Sequence, residues 1–228
     1  MPALSLVIFD CDGVLVDSEI VAARVEVEML KEVGIEFEAH EFSTRFAGLT
    51  WPRIMELLTE ETGVRFREGF AKDTDKAIDE ALASSVEMIA SAADILERFD
   101  QPRCICSNST TERLKMELQR VELWDRFRPY VFSALEVGTR KGKPAPDVYL
   151  YACKEFGVAP REAIVIEDSV HGVTAAAAAG CRVVGFTGAS HTYAGHAEAL
   201  TDAGAETVIS RLADFPAVIE AFAEWERA

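Results

Sequence analysis

The chain has 228 residues, 49% hydrophobic and 27% charged, a globular balance that excludes a disordered or fibrous protein. That length makes one ordinary domain, or one domain carrying a smaller insertion. With 39 acidic against 23 basic residues the formal charge is −16, which opposes binding to nucleic acid or to an anionic membrane, where Lys and Arg must meet phosphates. An anionic small substrate fits such a chain only where a metal ion or a few local cations reverse the field inside a pocket.

The chain opens on a continuous apolar run at residues 4–9, as expected of a strand buried on both faces of a parallel sheet. The N-terminal stretch lacks the basic region of a signal peptide, and no segment reaches the roughly 18 uninterrupted apolar residues of a membrane span. Residues 18–85 then carry helical patterns only: Val21, Val25, Met29 and Leu30 mark one helix, Ile54, Leu57 and Leu58 another, and Phe70, Ala77 and Leu82 a third. An all-helical insertion after the first strand is expected to form a small cap, leaving residues 1–17 and 86–228 as the core. Strand-like runs resume at 103–106, 163–166, 181–186 and 207–209, separated by helical patterns at 111–121, 146–156 and 170–179 and followed by one at 215–225. This alternation predicts an α/β fold with a doubly wound parallel sheet. The five cysteines are odd in number, lie mostly in apolar segments and lack zinc-type spacing, as expected of reduced thiols in a cytoplasmic protein.

Four polar clusters follow predicted strands or precede predicted helices. Asp10-Cys11-Asp12-Gly13 ends the first strand, at the sheet edge where open α/β folds bind ligands. One carboxylate there can serve as nucleophile or metal ligand, and a second, two residues on, as general acid and base. Ser107-Asn108-Ser109 offers hydroxyl and backbone donors before a helix, suited to an anion or simply to capping that helix. Lys143, followed by Pro144, can neutralise a phosphate as a point charge. Glu167-Asp168-Ser169 sets two carboxylates side by side, which suggests a Mg²⁺ ion between them or an acidic helix cap.

The strings D-x-D-G-V-L-V-D-S-E, S-N-S, K-P-A-P-D-V-Y and V-I-E-D-S-x-x-G-x-x-A-A-x-A-A-G, in this order, resemble the four motifs of the haloacid dehalogenase-like hydrolases. The β-phosphoglucomutase-like phosphatases with a helical cap are the most similar subgroup. The resemblance implies Asp10 as nucleophile, forming an aspartyl-phosphate, and Asp12 as the acid–base group. It implies Ser107 and the Asn108 backbone as phosphate holders and Lys143 as the balancing charge. Mg²⁺ would be bound by Asp10, the Asp12 carbonyl and Asp168, with Glu167 as ligand or in support. Asp12 argues against a carbon–halogen dehalogenase, which lacks that acid. A phosphomutase would carry a histidine where Ile20-Val21-Ala22-Ala23 stand, and an arginine shortly after Gly48, a position for which Arg53 is the nearest candidate. A non-catalytic phosphate-ligand-binding protein on this fold would be expected to lack one of the charged groups, and all are present. FDCDG-x-LVDSE and RF-x-G are similar to bacterial 6-phosphogluconate phosphatases, so a sugar or sugar-acid phosphate is the expected substrate of a monomeric enzyme. Arg45, Gly48, Thr50, Trp51 and Arg53 are the candidate cap contacts, with cap core as the other reading of Trp51. His191 and His196, with no partner motif, are expected on the surface.

Overall fold

A computed structural model describes residues 4–46, 49 and 51–225. Gly48 and Thr50, two of the candidate cap contacts, lie outside the described residues. In chain order the elements are β1 (Leu6–Phe9), α1 (Ser18–Lys31), α2 (Ala39–Arg45), α3 (Trp51–Thr62), α4 (Phe70–Ser85), α5 (Ala92–Ile95) and β2 (Arg103–Ser107). There follow α6 (Thr111–Arg120), α7 (Trp124–Phe127), β3 (Val131–Ser133), α8 (Asp147–Phe156), β4 (Ala163–Glu167), α9 (Val170–Ala179), β5 (Arg182–Phe186), α10 (His196–Ala203), β6 (Thr207–Ile209) and α11 (Phe215–Trp225).

The strands form one parallel sheet in the order β3-β2-β1-β4-β5-β6. All four residues of β1 are fully buried because helices cover both sheet faces, which is why this strand reads as unbroken apolar sequence. Val7 and Phe9 belong to the apolar layer on one face, Leu6 and Ile8 to that on the other. Alternation between two apolar layers replaces the usual alternation between core and solvent. Gly157 and Gly180 end α8 and α9 with φ of +66° and +85°, the left-handed stop their positions after those helices predict. The five cysteines are free and buried. Among the described residues no helix is long and apolar enough to cross a membrane.

Between β1 and β2 the helices α1 to α4 form an inserted cap with its own apolar cluster, built on Val27, Leu30, Phe42, Trp51, Leu58 and Phe70. Its base is shared with the core: Val21, Ile78 and Leu82 pack into the layer that holds Val7 and Phe9. The two chain connections run side by side, with Asp17 N–H donating to the Glu87 carbonyl (2.9 Å) and Ile89 N–H to that of Leu15 (2.9 Å). The short β3 and α10, and the cap helix α2, are elements that the apolar patterns do not reveal.

Trp51 is 8% exposed, stacks on Phe70 at 6.3 Å between ring centroids, and meets Phe42 edge-on at the same separation. Of its two sequence readings, the structure takes the cap-core one. Trp51→Ala is expected to destabilise the cap by about 3–5 kcal/mol, the usual cost of deleting a buried Trp. Urea unfolding with hydrogen-exchange readout should show the amides of α1 to α3 losing protection first.

Candidate active site

The strand register assembles the site. Phe9 lies opposite Ile166 in β4 and Ile105 in β2, so the next residues, Asp10, Glu167 and Cys106, come level at the carboxyl edge of the sheet, where β1 has ended, β4 ends at Glu167 and β2 at Ser107. Asp10 N–H donates to the Ile166 carbonyl at 3.0 Å, extending the ladder by one step. The polar clusters of motifs one, two and four thus meet because three neighbouring parallel strands end within two residues of one another.

Lys143 enters this point from the loop before α8. Its buried ammonium donates to Asp10 Oδ1 (2.7 Å), Glu167 Oε1 (2.7 Å) and the Cys106 carbonyl (2.8 Å), using all three of its hydrogens. Asn108 fixes the lysine's backbone: its Oδ1 accepts from Lys143 N–H at 2.7 Å and its Nδ2 donates to the Lys143 carbonyl at 3.3 Å. Burial lowers the affinity of Lys143 for its proton, but Asp10 and Glu167 outweigh it and the net pKa lies well above the usual lysine value. Asp10 is raised well above the usual carboxylate range, by burial first and then by Glu167, Asp168 and Asp12, against the pull of Lys143.

Glu167 is fully buried and its carboxylate is saturated. Lys143 and Tyr149 Oη (3.1 Å) donate to Oε1, while the Ser169 N–H (2.8 Å) and hydroxyl (3.0 Å) donate to Oε2. The carboxylate lies over the start of α9, and Gly172 makes the room, since a Cβ there would fall 1.6 Å from Oε1.

Asp168 pairs with His191 Nε2 at 3.1 Å and accepts at its backbone carbonyl from His196 Nε2 at 2.7 Å. The surface placement expected for both histidines is therefore corrected: His196 is buried against Tyr193, with ring centroids 4.6 Å apart, and both line the cavity. The loop after β5 carries them back over the sheet edge, a return that no local sequence pattern announces. Burial alone would lower His191, yet the Asp168 carboxylate prevails and lifts it to about 9.

Asp12 has a different environment. Hydroxyls of Ser18 (2.7 Å), Ser107 (3.1 Å) and Ser109 (2.8 Å) all donate to its carboxylate. Ser107 and Ser109 are thus not the cap of α6; Thr110 is, accepting from Arg113 N–H. Gly13, at φ +72°, turns the chain sharply after Asp12, and a Cβ there would fall 1.9 Å from Asp168 Oδ2.

Asp10, Glu167 and Asp168 each offer an oxygen within 4.8 Å of the others. The three acids meet two cationic partners, Lys143 and His191, and an all-oxygen donor set of this kind suits a hard divalent cation. The residues fit a metal, with Asp10 and Asp168 as the carboxylates not saturated by the protein. A cavity of about 710 Å³ opens above them, floored by Asp10, Asp12, Lys143 and Asp168 and roofed by the cap. Among the candidate cap contacts, Arg45 pairs with Glu61 (2.5 Å), Arg53 with Glu56 (2.8 Å), and neither they nor Trp51 line that cavity. Its cap wall is formed instead by residues such as Glu19, Ala22, Glu26, Phe42 and Phe46.

Residues 4–180 match the family model of the haloacid dehalogenase-like hydrolases. The chain belongs to that family. A conserved haloacid dehalogenase-like protein of unknown function from Agrobacterium tumefaciens superposes with a TM-score of 0.93 at 49% identity, over 97% of this chain and 100% of its own. A family hydrolase from Deinococcus radiodurans, solved with bound phosphate and sodium, gives 0.84 at 31% identity over 97% of both chains. Among characterised relatives, the 6-phosphogluconate phosphatase of Escherichia coli is 29% identical over 84% of this chain and 86% of its own length.

Because Glu167 occupies the space a side chain at position 172 would need, Gly172→Ala is expected to displace its carboxylate. The cost should be about 2 kcal/mol, a fall of roughly 4–8 °C in the thermal midpoint, measurable by calorimetry.

Proposed function

We propose that the protein is a Mg²⁺-dependent phosphatase that hydrolyses a small sugar or sugar-acid phosphate through an aspartyl-phosphate on Asp10. Its class, phosphoric monoester hydrolase, is that of its phosphatase relatives. The observation that carries the reading is the contrast between the two motif-one carboxylates. Asp10 faces the ammonium of Lys143 and two further acids, while Asp12 is surrounded by three hydroxyls. A carboxylate held by a cation and pointed at a cavity suits nucleophilic attack, and one free of a cation suits proton exchange with a leaving alcohol and then with water.

In this reading Asp10 attacks phosphorus as Asp12 protonates the departing alkoxide. Asp12, now ionised, then takes a proton from the water that cleaves the acyl phosphate. Ser107 and the Asn108 backbone hold the phosphoryl oxygens, and Lys143 balances the charge gathered on phosphate and Asp10. Mg²⁺, bound by Asp10, Asp168 and the Asp12 carbonyl, would supply Lewis-acid stabilisation of phosphoryl charge. That the Deinococcus relative was solved with bound phosphate supports a phosphate-bearing ligand for this chain. Ala22 supports hydrolysis over transfer, since a methyl group on the cavity wall offers no acid–base group to a second sugar hydroxyl. Residues 18–85 would act as a cap rocking on the paired connections, opening to admit water to the intermediate, in a monomeric cytoplasmic enzyme.

Asp10→Asn is expected to keep the fold by circular dichroism and to abolish hydrolysis of p-nitrophenyl phosphate, EDTA to abolish wild-type activity, and Mg²⁺ to restore it. A folded variant that retains substantial turnover contradicts the nucleophile assignment. Because the protein already saturates Glu167, Asp168→Ala should weaken Mg²⁺ binding in calorimetric titration more than Glu167→Gln does. The reverse order would make Glu167 the ligand.

A further inference from the structure

Asp10 and Asp168, the carboxylates assigned to the metal, are each held by one oxygen. Asp10 Oδ1 accepts from Lys143, and Asp168 Oδ2 faces His191 Nε2 at 3.1 Å. Among the described residues no hydrogen bond reaches Asp10 Oδ2 or Asp168 Oδ1, so His191 is the one tie on the Asp168 side chain. Asp168 needs such a tie, because it lies past the end of β4, in the short link to α9. Gly13 backs the pair: a Cβ there would fall 1.9 Å from Asp168 Oδ2 and 2.9 Å from His191 Cε1. The imidazole is fixed in turn by its own loop, between β5 and α10. There the N–H (3.1 Å) and the hydroxyl of Ser190 donate to the Asp17 carboxylate at the first cap connection, and the Thr192 hydroxyl donates to the Thr187 carbonyl at 2.9 Å. Tyr193 stacks on His196, whose Nε2 meets the Asp168 carbonyl at 2.7 Å. One loop thus grips Asp168 by its carboxylate and by its backbone.

We propose that His191 is a positioning residue for the metal site: by holding Oδ2 of Asp168 it keeps the other carboxylate oxygen available to Mg²⁺. The inference rests on the Mg²⁺-dependent reading and adds to it a residue outside the four motifs. A carboxylate already held by one oxygen has less rotational freedom to lose when an ion binds, so more of the interaction appears as affinity. The hydrogen bond needs no charge on His191, because in either protonation state the hydrogen directed at a carboxylate is on Nε2. Partners of this kind, which touch a ligand and not the metal, contribute about 10–100-fold to metal affinity, and that sets the size of the expected effect.

Calorimetric titration of Mg²⁺ into the metal-free protein tests this in wild type, in His191→Gln, whose amide can still donate to Asp168, and in His191→Leu, which has no donor. His191→Leu is expected to raise the Kd for Mg²⁺ by about tenfold or more, and His191→Gln to recover most of that loss. The thermal midpoint of each metal-free protein reads packing separately: a histidine that only packs would leave Mg²⁺ affinity equal in all three, whatever their melting. A measurement on wild type alone does not depend on a variant folding. In long-range ¹H–¹⁵N spectra of the imidazoles, His191 Nε2 should keep its hydrogen while its resonance shifts as Mg²⁺ is added. Unchanged or tighter Mg²⁺ binding in His191→Leu overturns the inference, as does an equal loss in both variants or a His191 resonance that does not respond to Mg²⁺. Wild type that binds no Mg²⁺ at all would overturn the metal-dependent reading itself, and this inference with it.

Discussion

One ammonium group, that of Lys143, lies sealed between Asp10 and Glu167 where β1 and β4 end. Burying two carboxylates side by side is costly unless a cation and hydrogen bonds compensate them. Much of the surrounding structure serves that compensation. Strand register sets the acids in step, the Asn108 amide clips the lysine's backbone, and Tyr149 and Ser169 satisfy the remaining lone pairs of Glu167. Gly172 leaves the space that the Glu167 carboxylate fills.

This arrangement divides the acids by environment more than by type. Glu167 is spent on structure, its oxygens fully engaged, whereas Asp10 and Asp168 keep capacity directed toward the cavity. Asp12, two residues from Asp10, is held by hydroxyls alone. Because Ser18 begins the first cap helix and donates to Asp12, the cap is joined to the Asp12 carboxylate itself, while Arg113 and Asp79 link core and cap farther along. Cap position and the placement of the Asp12 side chain are therefore physically connected.

The parts of the site legible in the sequence are those written locally. An apolar run ending in Asp10, a second ending in Ser107, a third ending in Glu167 and the Lys143-Pro144 pair each announce a strand edge or loop, and parallel pairing does the rest. What the sequence hides depends on distant chain returning. His191 and His196 reach Asp168 only through the loop after β5, and Ser109 is recognisable as an Asp12 partner only once β2 is placed beside β1. The strand β3, three residues long after Pro129, is too short to show a pattern. The cap misleads for another reason: Trp51 stands beside a polar, glycine-bearing stretch that reads as a contact loop, yet its large apolar ring is what the cap's own small core needs.

The claim that Lys143 makes this acidic cluster tolerable is tested most directly by the pH dependence of the stability change in Lys143→Met, which removes the charge and keeps the volume. A group whose folded pKa lies above its unfolded value lends stability at low pH and withdraws it as pH rises through the folded value. Asp10 is such a group even with the lysine opposing the shift, and loss of the lysine should raise it further. Urea unfolding should therefore show a cost of about 3–5 kcal/mol near pH 8, the range for breaking a buried pair, shrinking toward pH 5 as the cluster takes up protons. A small cost, or one that stays constant across that range, would contradict the account.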